Sequence, residues 1–156
     1  MQWPTLITAA VAVYGALLST YSVVVRHREK KRWVAVTVSI GFPVYEGLGL
    51  GPTVLFISAS NPGSRNVSLC NPGLLLPDKR KLVFPTHQSD VQFPHDLEPG
   101  KGCRMWIPAR ILARDLKEAR FSATVKLVGF YLDATGTVYK SKPYKFEVNK
   151  WLSEAD

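Results

Sequence analysis

The chain has 156 residues, enough for one ordinary domain and a short additional segment but too few for two full domains. Hydrophobic residues make up 46% of it and charged residues 21%, which allows a packed core and excludes a globally disordered protein. The net charge is +8, but half of this excess lies in residues 26–32, where five basic residues stand against Glu29. The rest of the chain is therefore only mildly basic, and we expect no nucleic-acid partner.

Residues 1–5 form a short N-terminal cap, and residues 6–25 predict a single transmembrane helix. The stretch LITAAVAVYGALLSTYSVVV contains no charged residue and no proline. At about 1.5 Å of rise per residue, such a helix is roughly 30 Å long, the thickness of the hydrocarbon core of a bilayer. A cleaved secretory signal is the main competing interpretation, and a buried soluble helix is the other. Such signals carry positive charge before the apolar run, whereas in this chain the charge follows it.

Residues 26–32 (RHREKKR) form a basic juxtamembrane linker that orients this helix. The basic side chains of the linker are those of Arg26, Arg28, Lys30, Lys31 and Arg32. Positive residues beside a membrane helix stay on the cytoplasmic side. We therefore expect a single-pass protein of the cell membrane, with the lipid bilayer as one partner and the C-terminal domain in the cytoplasm.

A stripe of small residues runs along the predicted helix. Ala12, Gly15 and Ser19 are spaced by three and four positions, so they share one helical face. Small residues let two helix backbones approach closely in lipid, which would allow a homodimer through the helix. The alternative is an incidental stripe, because such residues are common in membrane helices.

From residue 33 to residue 149 the pattern changes to short alternating segments, typical of β-strands. The predicted strands are Trp33–Ile40, Thr53–Ser60, Arg65–Cys70, Leu82–Phe84, Cys103–Ile107, Ser122–Asp133, Thr137–Lys140 and Tyr144–Val148. One amphipathic helix is predicted at Pro108–Ala119, where Leu112, Leu116 and Ala119 share a face. Residues 41–52 and 85–95 are predicted to be loops, and residues 150–156 a C-terminal tail.

Short strands with turn signals every few residues predict a mainly β domain, an immunoglobulin-like β-sandwich of about seven strands with one short helix. A small barrel is the alternative. The turns Asn61-Pro62-Gly63 and Leu97-Glu98-Pro99-Gly100 and the hairpin at 131–139 (YLDATGTVY) together resemble those of uncharacterised bacterial single-pass membrane proteins with an Ig-like domain. The resemblance implies a fold and a bacterial context, and it transfers no functional residue.

Candidate chemistry is sparse. Cys70 and Cys103 are the two cysteines, and in the cytoplasm both should be reduced; a disulfide would need the opposite topology. His87, Asp90, His95 and Asp96 include metal-ligand types, but they lack the spacing of a known metal motif and fit a solvated loop better. We expect no metal and no cofactor.

Three further patterns have ordinary explanations. Gly47, Gly49 and Gly51 (GLGLG) are not followed by the Lys-Ser/Thr pair of a phosphate-binding loop, so a flexible loop is the better interpretation. Residues 66–68 match a glycosylation acceptor, which would require lumenal exposure. Basic residues recur along the predicted helix at Arg110, Arg114 and Lys117, which is usual for a solvated face.

Three functions stay open on this basis. The first is a membrane-anchored, non-enzymatic interaction module on the cytoplasmic face that binds a protein partner through an edge strand or loop. The second is a small membrane-active effector or regulatory subunit of a membrane complex, acting through its helix. The third is an enzyme with a dispersed site that uses Asp90, His95 or His87.

Overall fold

The computed structural model of the chain describes residues 3–29, 32–45, 49–84 and 88–153. In chain order, its elements are α1 (Trp3–Glu29), β1 (Ala35–Gly41), β2 (Val44–Tyr45), β3 (Gly49–Leu50), β4 (Val54–Ser60), β5 (Val67–Leu75), β6 (Lys81–Val83), β7 (Gln88–Ser89), β8 (His95–Leu97), β9 (Gly102–Pro108), α2 (Ala109–Glu118), β10 (Thr124–Asp133), β11 (Val138–Lys140), β12 (Tyr144–Glu147) and α3 (Val148–Ser153). The domain is mainly β, as predicted.

Helix α1 precedes the β domain and runs for 27 residues, beginning three residues before the predicted span of 6–25. Its side chains from Val11 to Val24 are all exposed, although most of them are apolar. The hydroxyls of Thr20 and Ser22 donate to the carbonyls of Ala16 and Leu18, one turn earlier in the same helix. Among the residues that the structure describes, no helix is long and apolar enough to cross a membrane.

The first sheet has the strand order β1-β4-β9-β7, and its neighbouring strands are antiparallel. Strands β1, β4 and β9 pair along seven residues each, so side chains form continuous rows across the sheet. The second sheet has the order β11-β10-β5-β6, with β12 also paired to β10 and β8 to β5. A separate two-stranded ribbon joins β2 to β3.

One apolar core draws on both sheets and on all the elements between them. The hydroxyl of Tyr131 in β10 donates to the carbonyl of Ile57 in β4 at 2.7 Å, which links the second sheet to the first. A Cβ atom on Gly129 would lie 2.6 Å from Cγ2 of Val38, so the sheets approach each other too closely there for any larger residue. The buried face of α2, formed by Ala109, Leu112, Ala113 and Leu116, joins this core.

The predicted strands and the α2 helix are confirmed within a few residues, and four segments differ. The predicted loop at 41–52 contains the β2–β3 ribbon, and the one at 85–95 contains β7 and the first residue of β8. Strand β5 runs on to Leu75 through Pro72, which lies beside an irregularity in the β5–β10 register. A proline is tolerated there because the regular ladder is already interrupted.

The fourth difference is the predicted C-terminal tail, which begins as a helix. Strand β12 ends at Glu147, and α3 follows from Val148. Val148 is buried, and Trp151 and Leu152 pack against the core at the i, i+3 and i+4 positions of one helical face. The ring of Trp151 stacks on that of Phe146 with centroids 6.3 Å apart. This periodicity covers only six residues, too few to indicate a helix from sequence.

Candidate binding groove on the first sheet

The outer face of the first sheet forms a shallow depression of about 760 Å³, which we call the groove. Its side chains come from β1, β4 and β9 and from the turn after β7. The residues that line it are Thr37, Ser39, Ile40, Gly41, Phe56, Ser58, Ala59, Ser60, Asp90, Gly102, Cys103 and Arg104. Among the described residues, the hydroxyls of Thr37, Ser39, Ser58 and Ser60 form no hydrogen bond, so they are available to a ligand.

Strand alternation explains why these residues face outward. In β4, Leu55, Ile57 and Ala59 are buried in the core, so Phe56 and Ser58 between them point to the other face. In β9, Cys103 and Met105 are buried in the same way, and Arg104 between them faces outward.

The register brings these outward residues into two neighbouring rows. One row holds Thr37, Ser58 and Arg104. The next row holds Ser39, Phe56, Trp106 and Gln88, with one residue from each of the four strands. The outer face of this sheet therefore presents hydroxyls, a cation and aromatic rings side by side, with Trp106 and Gln88 bordering the groove.

The aromatic pair is held in place by its neighbours. The indole Nε1 of Trp106 donates to Oε1 of Gln88 at 2.7 Å, which fixes the ring against β7. The rings of Phe56 and Trp106 lie with centroids 6.2 Å apart and are tilted by 57°. A Cβ atom on Gly41 would lie 3.1 Å from Cε2 of Phe56, so glycine leaves the space that this ring occupies. Both rings are half-buried and present their remaining surface to solvent.

Arg104 and Asp90 supply the charges of the groove. Oδ1 of Asp90 accepts a hydrogen bond from the backbone N–H of Arg104 at 2.7 Å, and the Asp90 N–H donates to the Arg104 carbonyl at 3.1 Å. These bonds attach the turn after β7 to β9. Within the described part of the chain, the guanidinium of Arg104 has no hydrogen-bond or ion-pair partner. An exposed cation without a carboxylate is therefore available beside the aromatic pair.

The thiol of Cys103 lies beneath the groove and is chemically quiet. The residue is 1% exposed. Burial, followed by the nearby charge of Asp90, raises the pKa of this thiol to about 11. Burial likewise raises the pKa of Tyr131 far above its ordinary value. A thiol that stays protonated at neutral pH is a poor nucleophile, so the groove is better suited to binding than to covalent chemistry.

The described residues of metal-ligand type in this segment, Asp90, His95 and Asp96, are divided between the two sheets. Asp90 lines the groove, whereas His95 and Asp96 lie in β8 on the second sheet, opposite Leu69 and Ser68. His87 lies outside the described residues. No group of three or more His, Cys, Asp or Glu among the described residues could hold a metal ion. Of the residues considered for a dispersed enzyme site, Asp90 therefore adjoins the first sheet and His95 belongs to the second.

The cysteines and the glycine motif also have structural roles. Cys70 and Cys103 are free thiols on different sheets, so the disulfide considered as an alternative is absent. Gly49 begins β3 with φ of +82°, which glycine adopts without strain, and Gly47 lies outside the described residues. In the glycosylation motif, Asn66 is exposed but the following Val67 is buried in β5.

The residues predicted to act at the membrane lie in α1 and just after it. Ala12, Gly15 and Ser19 are exposed, and nothing lies within 4 Å of a Cβ atom built on Gly15. Arg26 and Arg28 belong to α1, and Arg32 is exposed before β1. Lys30 and Lys31 lie outside the described residues. On α2, Arg110, Arg114 and Lys117 are exposed, as expected for a solvated face.

Comparison with known proteins assigns no family. No protein-family model matches the chain, and no curated protein is similar to it at a significant level. Among solved structures, it is similar to the ApaA protein from Bordetella pertussis, with a TM-score of 0.39 and 14% identity, over 75% of this chain and 93% of that one. A likeness at this TM-score supports no argument about fold or function.

Sequence reasoning missed the most prominent residues in and beside the groove. Phe56, Trp106 and Arg104 were assigned to strands, and none was singled out. The available signal was alternation: each stands between core residues, so each had to face away from the core. Alternation alone does not show that the two strands are neighbours, and therefore does not show that the three side chains meet.

Proposed function

We propose that the protein is a non-enzymatic interaction module that binds a protein partner through the groove and is held at the cytoplasmic face of a membrane by α1. The observation that carries the proposal is that a fixed tryptophan, Trp106, and the unpartnered cation of Arg104 stand two positions apart on the same face of β9. Tryptophan and arginine are enriched among the residues that supply most of the binding energy at protein interfaces.

The chemistry of the groove defines the partner segment. An apolar side chain of the partner would cover Phe56 and Trp106, and a carboxylate would pair with Arg104. The hydroxyls of Thr37 and Ser58, in the same row as Arg104, suit a polar rim around these contacts. Because Asp90 already accepts a hydrogen bond from the backbone N–H of Arg104, it holds the turn in place. The guanidinium of Arg104 stays available to the partner.

The membrane attachment rests on the sequence of α1 together with its exposure. Residues 6–25 contain no charge, and the apolar side chains from Val11 to Val24 are exposed on every side of the helix. Ile7, Val11, Tyr14 and Val23 are all more than 60% exposed. A helix with apolar residues all round needs lipid or another protein to cover it. The basic residues that follow favour lipid, with the domain on the cytoplasmic side.

For the fold, we propose that the two sheets pack face to face as an immunoglobulin-like β-sandwich. The Tyr131–Ile57 hydrogen bond and the close approach of Gly129 to Val38 support this, because each joins the inner face of one sheet to that of the other. We likewise propose, without further support, that the protein resembles bacterial single-pass proteins with an Ig-like domain.

Site-specific photocrosslinking in bacterial cells tests the groove. A photoreactive amino acid in place of Ser58 should give a discrete protein adduct, and Trp106→Ala or Arg104→Ala in the same chain should reduce its yield at least tenfold, since hot-spot truncations cost about 2 kcal/mol or more. The same photoreactive group at Arg114, on the exposed face of α2, is the matched control and should give no such adduct. Equal adduct yields from both positions, or a yield that neither variant reduces, would contradict partner binding at the groove.

The membrane attachment has its own test. Under alkaline carbonate extraction, the full chain should stay with the membrane pellet. A cysteine introduced at Thr124 should react with a membrane-impermeant maleimide only after lysis. Release by carbonate would contradict attachment through α1, and labelling in intact cells would contradict the cytoplasmic orientation.

A further inference from the structure

The outer face of the second sheet carries four exposed lysines on four different strands. In β10, Val125, Leu127 and Tyr131 are buried in the core, so Lys126, Phe130 and the residues alternating with them face outward. The outward lysines of this sheet, one from each of β6, β10, β11 and β12, are Lys81, Lys126, Lys140 and Lys145, and we call them the lysine face. All four are exposed, and none forms an ion pair with a described residue.

Two of these lysines oppose each other directly. Lys126 and Lys145 are register partners in the antiparallel β10–β12 pair, so their side chains leave the same face from adjacent positions. Like charges placed directly opposite each other in a sheet are destabilising. Of the carboxylates on this outer face, Asp96 lies opposite Ser68, and Glu147 lies opposite Thr124, beside both lysines but in no ion pair with either. The repulsion between the two lysines is therefore not relieved by an ion pair within the described fold.

Two apolar side chains, Phe130 and Val83, share this outer face with the lysines. Phe130 is 4% exposed although it faces away from the core, because its ring lies over Gly73, where a Cβ atom would come within 2.7 Å of Cζ. The ammonium of Lys81 covers the same ring at 5.6 Å from its centroid. Val83, in register with Gly73, is 56% exposed. The face thus combines long, flexible cations with one exposed apolar side chain, Val83, at its β6 edge.

We infer that the lysine face docks on an anionic lipid surface. Lysine suits this partner because its ammonium is a point charge on a flexible stem and needs no fixed geometry in the headgroup that it meets. The face also carries more lysines than carboxylates, so its charge complements that of anionic headgroups.

The inference goes beyond the proposed binding of a protein at the groove, which lies on the other sheet, and rests on the proposed membrane attachment only for proximity to lipid. A fluorophore sensitive to polarity reports docking when attached to a Val83→Cys substitution in the full chain with Cys70→Ser. Its emission should shift to the blue on vesicles of phosphatidylcholine with phosphatidylglycerol and not on phosphatidylcholine alone. High salt should reverse the shift, because salt screens the attraction. A probe at Thr37→Cys, in the groove, should not respond.

Charge-matched variants decide whether these particular lysines matter. With each surface lysine worth about 1 kcal/mol near anionic headgroups, Lys126→Gln with Lys145→Gln should lower the docked-to-undocked ratio roughly 30-fold. Arg114→Gln with Lys117→Gln removes the same charge from α2 and should leave the ratio within about twofold, since these residues lie outside the lysine face. Equal losses from both pairs, or a Val83 signal that does not distinguish the two lipids, would overturn the inference.

Flotation of the same samples separates this result from the membrane attachment by α1. Attachment through α1 requires the chain to float with vesicles of phosphatidylcholine alone. If it does not, but the salt-sensitive Val83 response to phosphatidylglycerol persists and depends on Lys126 and Lys145, the attachment fails and the lysine face stands. If the chain floats with both lipids and the probe at position 83 never responds, the attachment by α1 stands and the docking of the lysine face is rejected.

Discussion

The hydroxyl of Tyr131 donates to the carbonyl of Ile57 across 74 residues of sequence, at 2.7 Å and fully buried. The two residues belong to different sheets, so this bond joins β10 to β4 through the core. The thiol of Cys103, on the next strand of the first sheet, lies close enough to Tyr131 to affect its pKa. A polar contact at this depth selects one relative position of the sheets, which apolar packing alone would select less sharply.

Removing this bond should destabilise the domain. Tyr131→Phe keeps the ring and deletes the hydroxyl, so we expect the free energy of unfolding to fall by about 1–2 kcal/mol. Urea denaturation followed by circular dichroism measures it. Tyr14→Phe, on the exposed surface of α1, is the matched control and should leave the domain unchanged. A Tyr131→Phe variant as stable as the parent would show that the bond contributes nothing net.

The carboxylate of Asp133 should make stability depend on pH in the acid range. Burial by itself would raise the pKa of Asp133, but hydrogen bonds from the hydroxyl and N–H of Thr135, the N–H of Thr137 and the hydroxyl of Tyr139 outweigh it and lower the pKa below its ordinary value. The charged form is therefore favoured in the folded state. Its contribution is complete above the unfolded pKa of about 3.9 and is lost as the pH falls through the lower, folded value.

Asp133→Asn provides the test of this dependence. Hydrogen bonds to a charged acceptor are stronger than those to a neutral one, so the variant should be less stable than the parent by about 1–2 kcal/mol at neutral pH. The difference should shrink once the pH is well below 4, where the parent carboxylate is protonated as well. Urea midpoints across the acid range give both curves. A difference that stays constant with pH would mean that the charge plays no part.

Relieving the Lys126–Lys145 repulsion should stabilise the fold. Lys126→Glu creates an opposite-charge pair with Lys145 across β10 and β12, worth about 0.2–1 kcal/mol, and the denaturation midpoint should rise accordingly. Lys126→Gln, which removes the repulsion without adding attraction, should fall between the parent and this variant. A decrease in stability on Lys126→Glu would indicate that the register partners do not interact as their positions imply.

Self-association through α1 should depend on the small residues if the predicted homodimer forms. Gly15→Leu places a bulky side chain on the stripe of Ala12, Gly15 and Ser19 and should weaken association, whereas Leu17→Ala, away from the stripe, should not. A transmembrane-association reporter in a bacterial inner membrane measures both. The hydroxyls of Thr20 and Ser22 already donate within their own helix. Close packing is therefore the main contribution of α1 to self-association. Equal signals from both variants and the parent would make the stripe incidental.

Local sequence pattern was sufficient to predict much of the secondary structure of this protein. The alternation in Trp33–Ile40, Thr53–Ser60 and Ser122–Asp133 predicts strands because a sheet with one buried face requires a period of two, and β1, β4 and β10 lie where that period indicates. The spacing of Leu112 and Leu116 predicts α2 in the same way. These predictions succeed because the information lies within a few consecutive residues.

Tertiary structure alone decided which strands became neighbours, and with that the candidate sites. Trp106 meets Phe56 and Gln88 only because β9 pairs with β4 on one side and β7 on the other, and Lys126 meets Lys145 only through the register of β10 with β12. Pairing partners are chosen by the packing of the whole core, which balances contacts far apart in sequence. Alternation in a single strand is compatible with many such pairings, so the composition of each outer face became visible only in the assembled sheets.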